Sequence, residues 1–193
     1  MKLRTTSFLC LFALLLTATP LPGRAADEQQ LLREAREIVA RLDKRLKEEL
    51  QKVLKEEGTV QAVETCHLKA PDIVKDAWRN GWEVRRTSLK VRNLEDAPDK
   101  WEYKVLKELD AKNEADAPDS ELEHWEVVTV DGQKRFRYMK AIIAKQVCTR
   151  CHGKHIHKEV ASQLDSLYPF DQARGFEAGD LRGAYSLSKP LSP

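Results

Sequence analysis

The sequence predicts an α+β domain, with long helices first and an antiparallel sheet after them. Three observations carry this. Apolar residues between Leu31 and Val53 recur at steps of three and four, which is one stripe on an amphipathic helix. Asp131-Gly132 separates two stretches rich in strand-forming residues, the strongest short hairpin signal. A further strand-like run, Leu181 to Leu187, stands apart after another helical stretch. Helices followed by a hairpin and a separate strand describe the α+β class.

Taken in order, the chain opens like an export leader. Met1 to Ser7 carries Lys2 and Arg4 and no acid, Phe8 to Leu16 is almost wholly apolar, and Pro20, Pro22 and Gly23 break the run. Gly23 and Ala25 supply the small residues of a cleavage site. The apolar run is shorter than the roughly 20 residues a membrane span needs. Cys10 lies within it, well upstream of cleavage, so no lipid anchor is expected. Residues 1–25 are therefore read as a signal peptide and 26–193 as one soluble exported domain, periplasmic in a bacterium. The whole chain has 33 basic and 31 acidic residues, and losing Lys2, Arg4 and Arg24 leaves one more acid than base. Such a balance does not point to nucleic acid, and no second apolar span points to a membrane.

Asp27 can cap the first helix, whose stripe is Leu31, Ala35, Ile38, Leu42, Leu46, Leu50 and Val53, and Gly58 can end it. The stripe packs on the domain or, alternatively, pairs two copies in a homodimer. Thr59 opens a second helix, Val60 to Lys69, with Val63, Cys66 and His67 at helical spacing. Pro71 suits the first turn of a third, carrying Asp76-Ala77-Trp78 and stopping near Asn80-Gly81. Trp82 to Ser88 reads as a strand and Leu89 to Asp99 as an ordered loop. Asp99 caps a helix with Trp101, Val105 and Leu109 on one face, and Asn113 to Glu121 is an exposed connection. Trp125 to Val130 and Gln133 to about Ala144 form the hairpin, and Lys158 to Leu167 a short helix ended by Tyr168-Pro169. Gly183 interrupts the separate strand.

The returning hairpin strand delivers the chain to Cys148-Thr149-Arg150-Cys151-His152, followed by Gly153. Two thiols two residues apart with a histidine directly after are the attachment pattern for a c-type haem: each thiol adds to a porphyrin vinyl group and the histidine ligates the iron. Three other uses of the motif compete. A thioredoxin-like redox site needs a different helix-strand order, and a structural disulfide leaves the histidine unexplained. A zinc site needs a fourth ligand, for which Cys66 or His155 could serve. With export, one covalent haem c is the reading that uses all three residues, and His152 is its proximal ligand.

The opposite axial position has several candidates. His155 and His157 are too near the proximal ligand in sequence, and His124 borders an acidic loop. Met139 shares the strand parity of Arg135 and Arg137, which argues against a buried thioether. Cys66 and His67 remain. Removing the leader leaves Cys66 as the one thiol without an assigned use, and Fe(III) favours a thiolate because a bound cation lowers a coordinating thiol's pKa. Spacing alone does not choose between these two.

The sequence also resembles the PAS-like c-type haem domains of cyanobacteria and of bacterial sensor proteins. The resemblance lies in Glu64-Thr65-Cys66-His67 with Ala70-Pro71, in Arg86-Thr87-Ser88-Leu89-Lys90-Val91-Arg92-Asn93, and in Ala97-Pro98-Asp99-Lys100-Trp101-Glu102. It continues through Cys148 to Gly153, Gly179-Asp180-Leu181-Arg182-Gly183-Ala184 and Lys189-Pro190-Leu191, and departs at Leu94-Glu95-Asp96. It implies a PAS-like antiparallel sheet and an iron held by His152 on one face and Cys66 on the other. Arg85, Arg86, Arg92, Arg135 and Arg137 are candidates for the haem propionates, since guanidinium meets carboxylate bidentately.

A thiolate opposite histidine implies six-coordinate iron with a low reduction potential. No separate nucleophile or acid–base constellation is visible, so the expectation is a non-enzymatic haem protein, either an electron carrier or a redox or gas sensor. No kinase, cyclase or membrane span follows before Pro193, so either role implies a separate redox or signalling partner. A four-helix-bundle cytochrome is the structural alternative, disfavoured by the hairpin.

Overall fold

A computed structural model describes residues 22–191, with side chains from residue 27 onwards. The leader reading and Cys10 lie outside the described residues, apart from the backbone of 22–25. Helix α1 spans Pro22–Glu56 without interruption. Asp27 is therefore interior to a helix and not its cap. Proline is tolerated at a first helical position, where its missing N–H would have no partner anyway.

The buried stripe of α1 is centred on Leu32, Ala35, Val39 and Leu42, with Val53 at its far end, and Leu31, Ile38 and Leu46 flank it. Gly58, at φ +87°, reverses the chain into α2, Gly58–Lys75. Lys69–Glu49 and Arg45–Asp76 ion pairs show α2 running back along α1. The expected break at Pro71 does not occur, and the second and third predicted helices are one. Proline removes the N–H that would bond the His67 carbonyl, at about 3 kcal/mol in a helix interior. The continuous stripe of Ala62, Val63, Ala70 and Ile73 buried along α2 outweighs this.

Strand β1 is Glu83–Thr87, and α3 is Lys100–Glu114. Asp99 caps α3 as expected, and does so through a reciprocal box with Glu102. Strands β2, Glu123–Val130, and β3, Gln133–Ile143, form the expected hairpin, with Asp131 and Gly132 both at positive φ (50° and 78°). The four-residue α4, Thr149–His152, and α5, Lys158–Leu167, lead to β4, Leu181–Pro190. The sheet is wholly antiparallel in the order β1-β4-β3-β2. The α+β expectation therefore holds, and a four-helix bundle does not.

Both sheet faces are covered. Val84, Phe136, Tyr138, Tyr185 and Leu187 pack against Trp82, α1 and Ile73 of α2. Met139, Ala141, Leu181 and Ala184 pack against Val105, Leu106 and Leu109 of α3. Each fully buried side chain of this size contributes roughly 1.5–3 kcal/mol. A third cluster places Val63 of α2 against Val160 and Leu164 of α5, with Cys151, Ile156 and Tyr168 beside them.

One irregularity interrupts the sheet. Ile142 pairs with Gly183 and Ile143 with Leu181, so Arg182 bulges out between them. Gly183 permits this because a Cβ there would lie 2.4 Å from the Thr87 carbonyl oxygen of β1. Among the described residues, no helix is long and apolar enough to cross a membrane.

Candidate functional site

The Cys148–His152 segment is a single helical turn. Cys148, Cys151 and His152 stand at i, i+3 and i+4, so their side chains share one side of it. The Cys148 N–H donates to the Lys145 carbonyl at 2.8 Å, and the Lys145 N–H lies 3.3 Å from the Cys148 sulfur. Downstream, the Phe176 N–H donates to the His152 carbonyl at 2.9 Å. The turn is thus tied to the chain on both sides.

His152 Nδ1 lies 2.8 Å from the Ala173 carbonyl oxygen. A carbonyl can only accept, so Nδ1 carries the proton and Nε2 keeps a free lone pair. Arg182 Nε, 3.3 Å from the same Nδ1, is itself a donor and cannot bond to a protonated nitrogen. It lies alongside as a charge. Burial first, then the Arg182 and Arg92 guanidiniums, hold the imidazole well below its ordinary pKa. A neutral, oriented imidazole with Nε2 open is a metal ligand in waiting.

Arg92 latches this arrangement. One of its Nη atoms donates to the Cys151 carbonyl at 2.6 Å, to Asp171 at 3.2 Å and to the Ala173 carbonyl at 3.3 Å. The Asp171 side chain is 2% exposed and that of Arg92 12%. Asp171 also accepts from the Ala173 N–H at 2.9 Å, so the ion pair positions the carbonyl that orients His152. Arg92 and Arg174 hold the Asp171 carboxyl below its ordinary pKa despite burial.

Cys66 approaches from α2, one turn beyond Val63, which packs in the cluster beside Cys151. The residue is exposed, yet surrounding protein pushes its thiol up from its ordinary pKa. Between α1 and α2 Cys66 also borders a void of about 20 Å³, room for one water at most. On α2, Val63 packs against Val160 and Leu164 of α5. Burial pushes the Cys151 thiol up to about 11, with the Cys66 thiol adding to the rise and Arg92 opposing it. Arg86 and Arg92 both act on Cys66, on Tyr168 and on His152, which places these groups in one neighbourhood. Cys66, Cys148 and Cys151 are all free thiols.

The other candidates fall elsewhere. His67 stands edge-on to Tyr168, ring centroids 5.0 Å apart. His124 lies on β2 beside Trp101, Glu108 and Glu126, and His155 and His157 are exposed. Met139 is fully buried, contrary to the parity reading, because α3 covers the face that Arg137 and Met139 share. It remains packed among aliphatic side chains, away from the cysteines. Among the described residues, no three His, Cys, Asp or Glu side chains converge to hold a metal ion. The His152 imidazole with Nε2 open, the Cys148 and Cys151 thiols on the same turn and the Cys66 thiol on α2 are donors that suit a porphyrin.

A profile of the Tll0287-like family matches residues 24–190, nearly all of the described chain. The chain belongs to this family. Among solved structures, the crystal structure of the cyanobacterial heme-protein Tll0287 superposes with a TM-score of 0.61 at 23% identity, covering 90% of this chain and 98% of that one. At that identity the likeness is one of fold. No match is found among curated proteins.

Three residues that shape the site in this Tll0287-like chain were given no role from sequence. Asp171 and Ala173 follow an ordinary helix end, and nothing local marks them. Arg182 did have a signal, since a glycine inside a strand pattern points to a bulge, and bulges re-aim neighbouring side chains.

Proposed function

We propose that this chain is an exported monohaem c-type cytochrome with a PAS-like fold, its haem held by thioethers to Cys148 and Cys151 and by axial ligation from His152 and Cys66. The observation that carries the reading is the His152–Ala173 hydrogen bond, which leaves Nε2 open beside the two attachment thiols. Family membership supports it, since the related Tll0287 is described as a heme-protein. Bound haem supplies a one-electron Fe(III)/Fe(II) couple. His152 acts as a fixed neutral donor, and Arg92 with Asp171 holds its supporting carbonyl in place. Cys66, on a separate helix, supplies the opposite ligand. With both axial positions taken by side chains the protein is a redox carrier or a redox or gas sensor rather than an enzyme, and it works with a separate partner protein.

The test is an absorption spectrum, in both redox states, of protein matured with haem-attachment machinery. Low-spin ferric haem with thiolate charge-transfer bands is expected, lost in Cys66→Ala and kept in His67→Ala. An unchanged Cys66→Ala spectrum refutes the axial pair. Carbon monoxide added to the reduced protein separates the two roles: rapid binding marks a sensor with a labile ligand, and no binding marks a carrier.

A further inference from the structure

Every arginine singled out as a propionate partner can now be followed to its contacts. Arg85 bonds Glu102 at 3.2 Å and the Glu95 and Ala97 carbonyls. Arg92 is taken by Asp171. Arg135 pairs with Glu83 and with Ser188 at 2.8 Å. Arg137 pairs with Asp99 at 2.8 Å and stacks 4.0 Å over Trp101. Arg86 differs: among the described residues, no carboxylate, carbonyl or hydroxyl lies within bonding distance of it, although it is half-buried.

Arg182 is the second such group. One Nη donates to Ser88 Oγ at 3.1 Å and contacts the Lys90 carbonyl at 3.4 Å, while the other Nη has no partner among the described residues, and no carboxylate forms an ion pair with it. Asp96 attracts both arginines but lies beyond ion-pair distance of either, and its buried carboxyl has a raised pKa. The two stand on neighbouring strands: Arg86 lies opposite Tyr185 of β4, and Arg182 reaches Ser88, two residues beyond Arg86. Half-buried cations without counter-charge are costly. The fold nevertheless brings these two together by specific means, with a bulge that turns Arg182 towards His152 and a glycine that lets β4 close on β1 behind it.

We infer that Arg86 and Arg182 form a two-armed carboxylate clamp that receives the two propionates of the haem and sets its orientation against His152. This rests on the haem reading above. Two acids meet two guanidiniums: Arg86 can bind a carboxylate through parallel N–H donors, and Arg182 offers its free Nη. The sources of such a carboxylate are the porphyrin itself or a free anion, and the experiment distinguishes them.

Full-length chain is matured with haem-attachment machinery as wild type, Arg86→Gln, Arg182→Gln, Arg86→Lys and Arg135→Gln, the last being the control on an occupied arginine. Haem per chain is measured first by the pyridine haemochrome, then the midpoint potential and the propionate bending modes in the resonance Raman spectrum. Each Gln variant is expected to load haem, shift its propionate modes and change the Fe(III)/Fe(II) ratio at fixed ambient potential about tenfold towards Fe(III), roughly 59 mV for one electron. Arg86→Lys keeps the charge but not the fork, so its potential stays near wild type while its Raman modes move. Arg135→Gln leaves both unchanged. Loaded Gln variants with wild-type Raman modes overturn the clamp, whether or not the potential falls, and leave the haem reading standing. In that case the pair serves free anions or none. A wild-type chain that takes up no covalent haem overturns both.

Discussion

Replacing Asp171 with asparagine removes one charge and almost no volume, and so tests the latch behind His152 directly. Asp171 is 2% exposed and its partner Arg92 12%, so the substitution leaves a buried guanidinium without its counter-charge. Breaking a buried pair in this way costs about 3–5 kcal/mol. Retention of the Ala173 N–H bond by the amide oxygen argues for the lower end, about 3 kcal/mol. In a chain of this size each kcal/mol lowers the melting midpoint by about 2–4 °C, so a fall of roughly 6–12 °C is expected at neutral pH. Arg174→Gln removes the second partner of the same carboxylate, but that side chain is 32% exposed and should cost no more than about 1 kcal/mol. Because the folded-state pKa of Asp171 is depressed, its stabilisation is complete above the ordinary aspartate range and is lost as pH falls through the folded value. Wild type and Asp171→Asn therefore diverge at neutral pH and converge in acid. Thermal melts of both variants across that range supply the check. Equal melting of Asp171→Asn and wild type at neutral pH, or equal losses from Asp171→Asn and Arg174→Gln, would refute the latch.

Gly183→Ala drives a methyl group to 2.4 Å from the Thr87 oxygen and should cost about 1–3 kcal/mol by separating β1 from β4, seen as a lower denaturant midpoint. A midpoint equal to wild type means that the strands do not approach so closely. In haem-free protein, alkylation of Cys151 should rise with pH to an inflection near 11, leaving roughly one thiol in a thousand reactive at pH 8. An inflection in the ordinary range between 8 and 9 would show that the fold does not bury this thiol.

Local chemistry made much of the fold legible. Asp131-Gly132 and the Asp99 cap are short-range signals whose geometry depends on a few residues, and both are found as read. Errors arose where tertiary burial overrode local preference. Pro71 marks a helix start by itself, but the buried stripe on either side of it carries α2 through. Met139 was misplaced because alternation assumes one wet face, and this sheet is covered on both. Within the site, the Cys148–His152 turn is a contiguous motif and could be seen at once. Arg182, Asp171 and Ala173 act through contacts with residues tens of positions away, which no spacing rule encodes.

The strand order has a consequence for how the site is made. Strand β4 comes after the Cys148–His152 turn in sequence but lies between β1 and β3 in the sheet. During synthesis β1 has no strand to pair with until β4 arrives, and Arg182 and the Ala173 carbonyl arrive equally late. Such long-range pairing is slow to form. Cys148, Cys151 and His152 therefore stand on the chain before the strand that completes the sheet beside them. On the haem reading proposed above, attachment to both thiols must precede the pairing of β4 that completes the sheet.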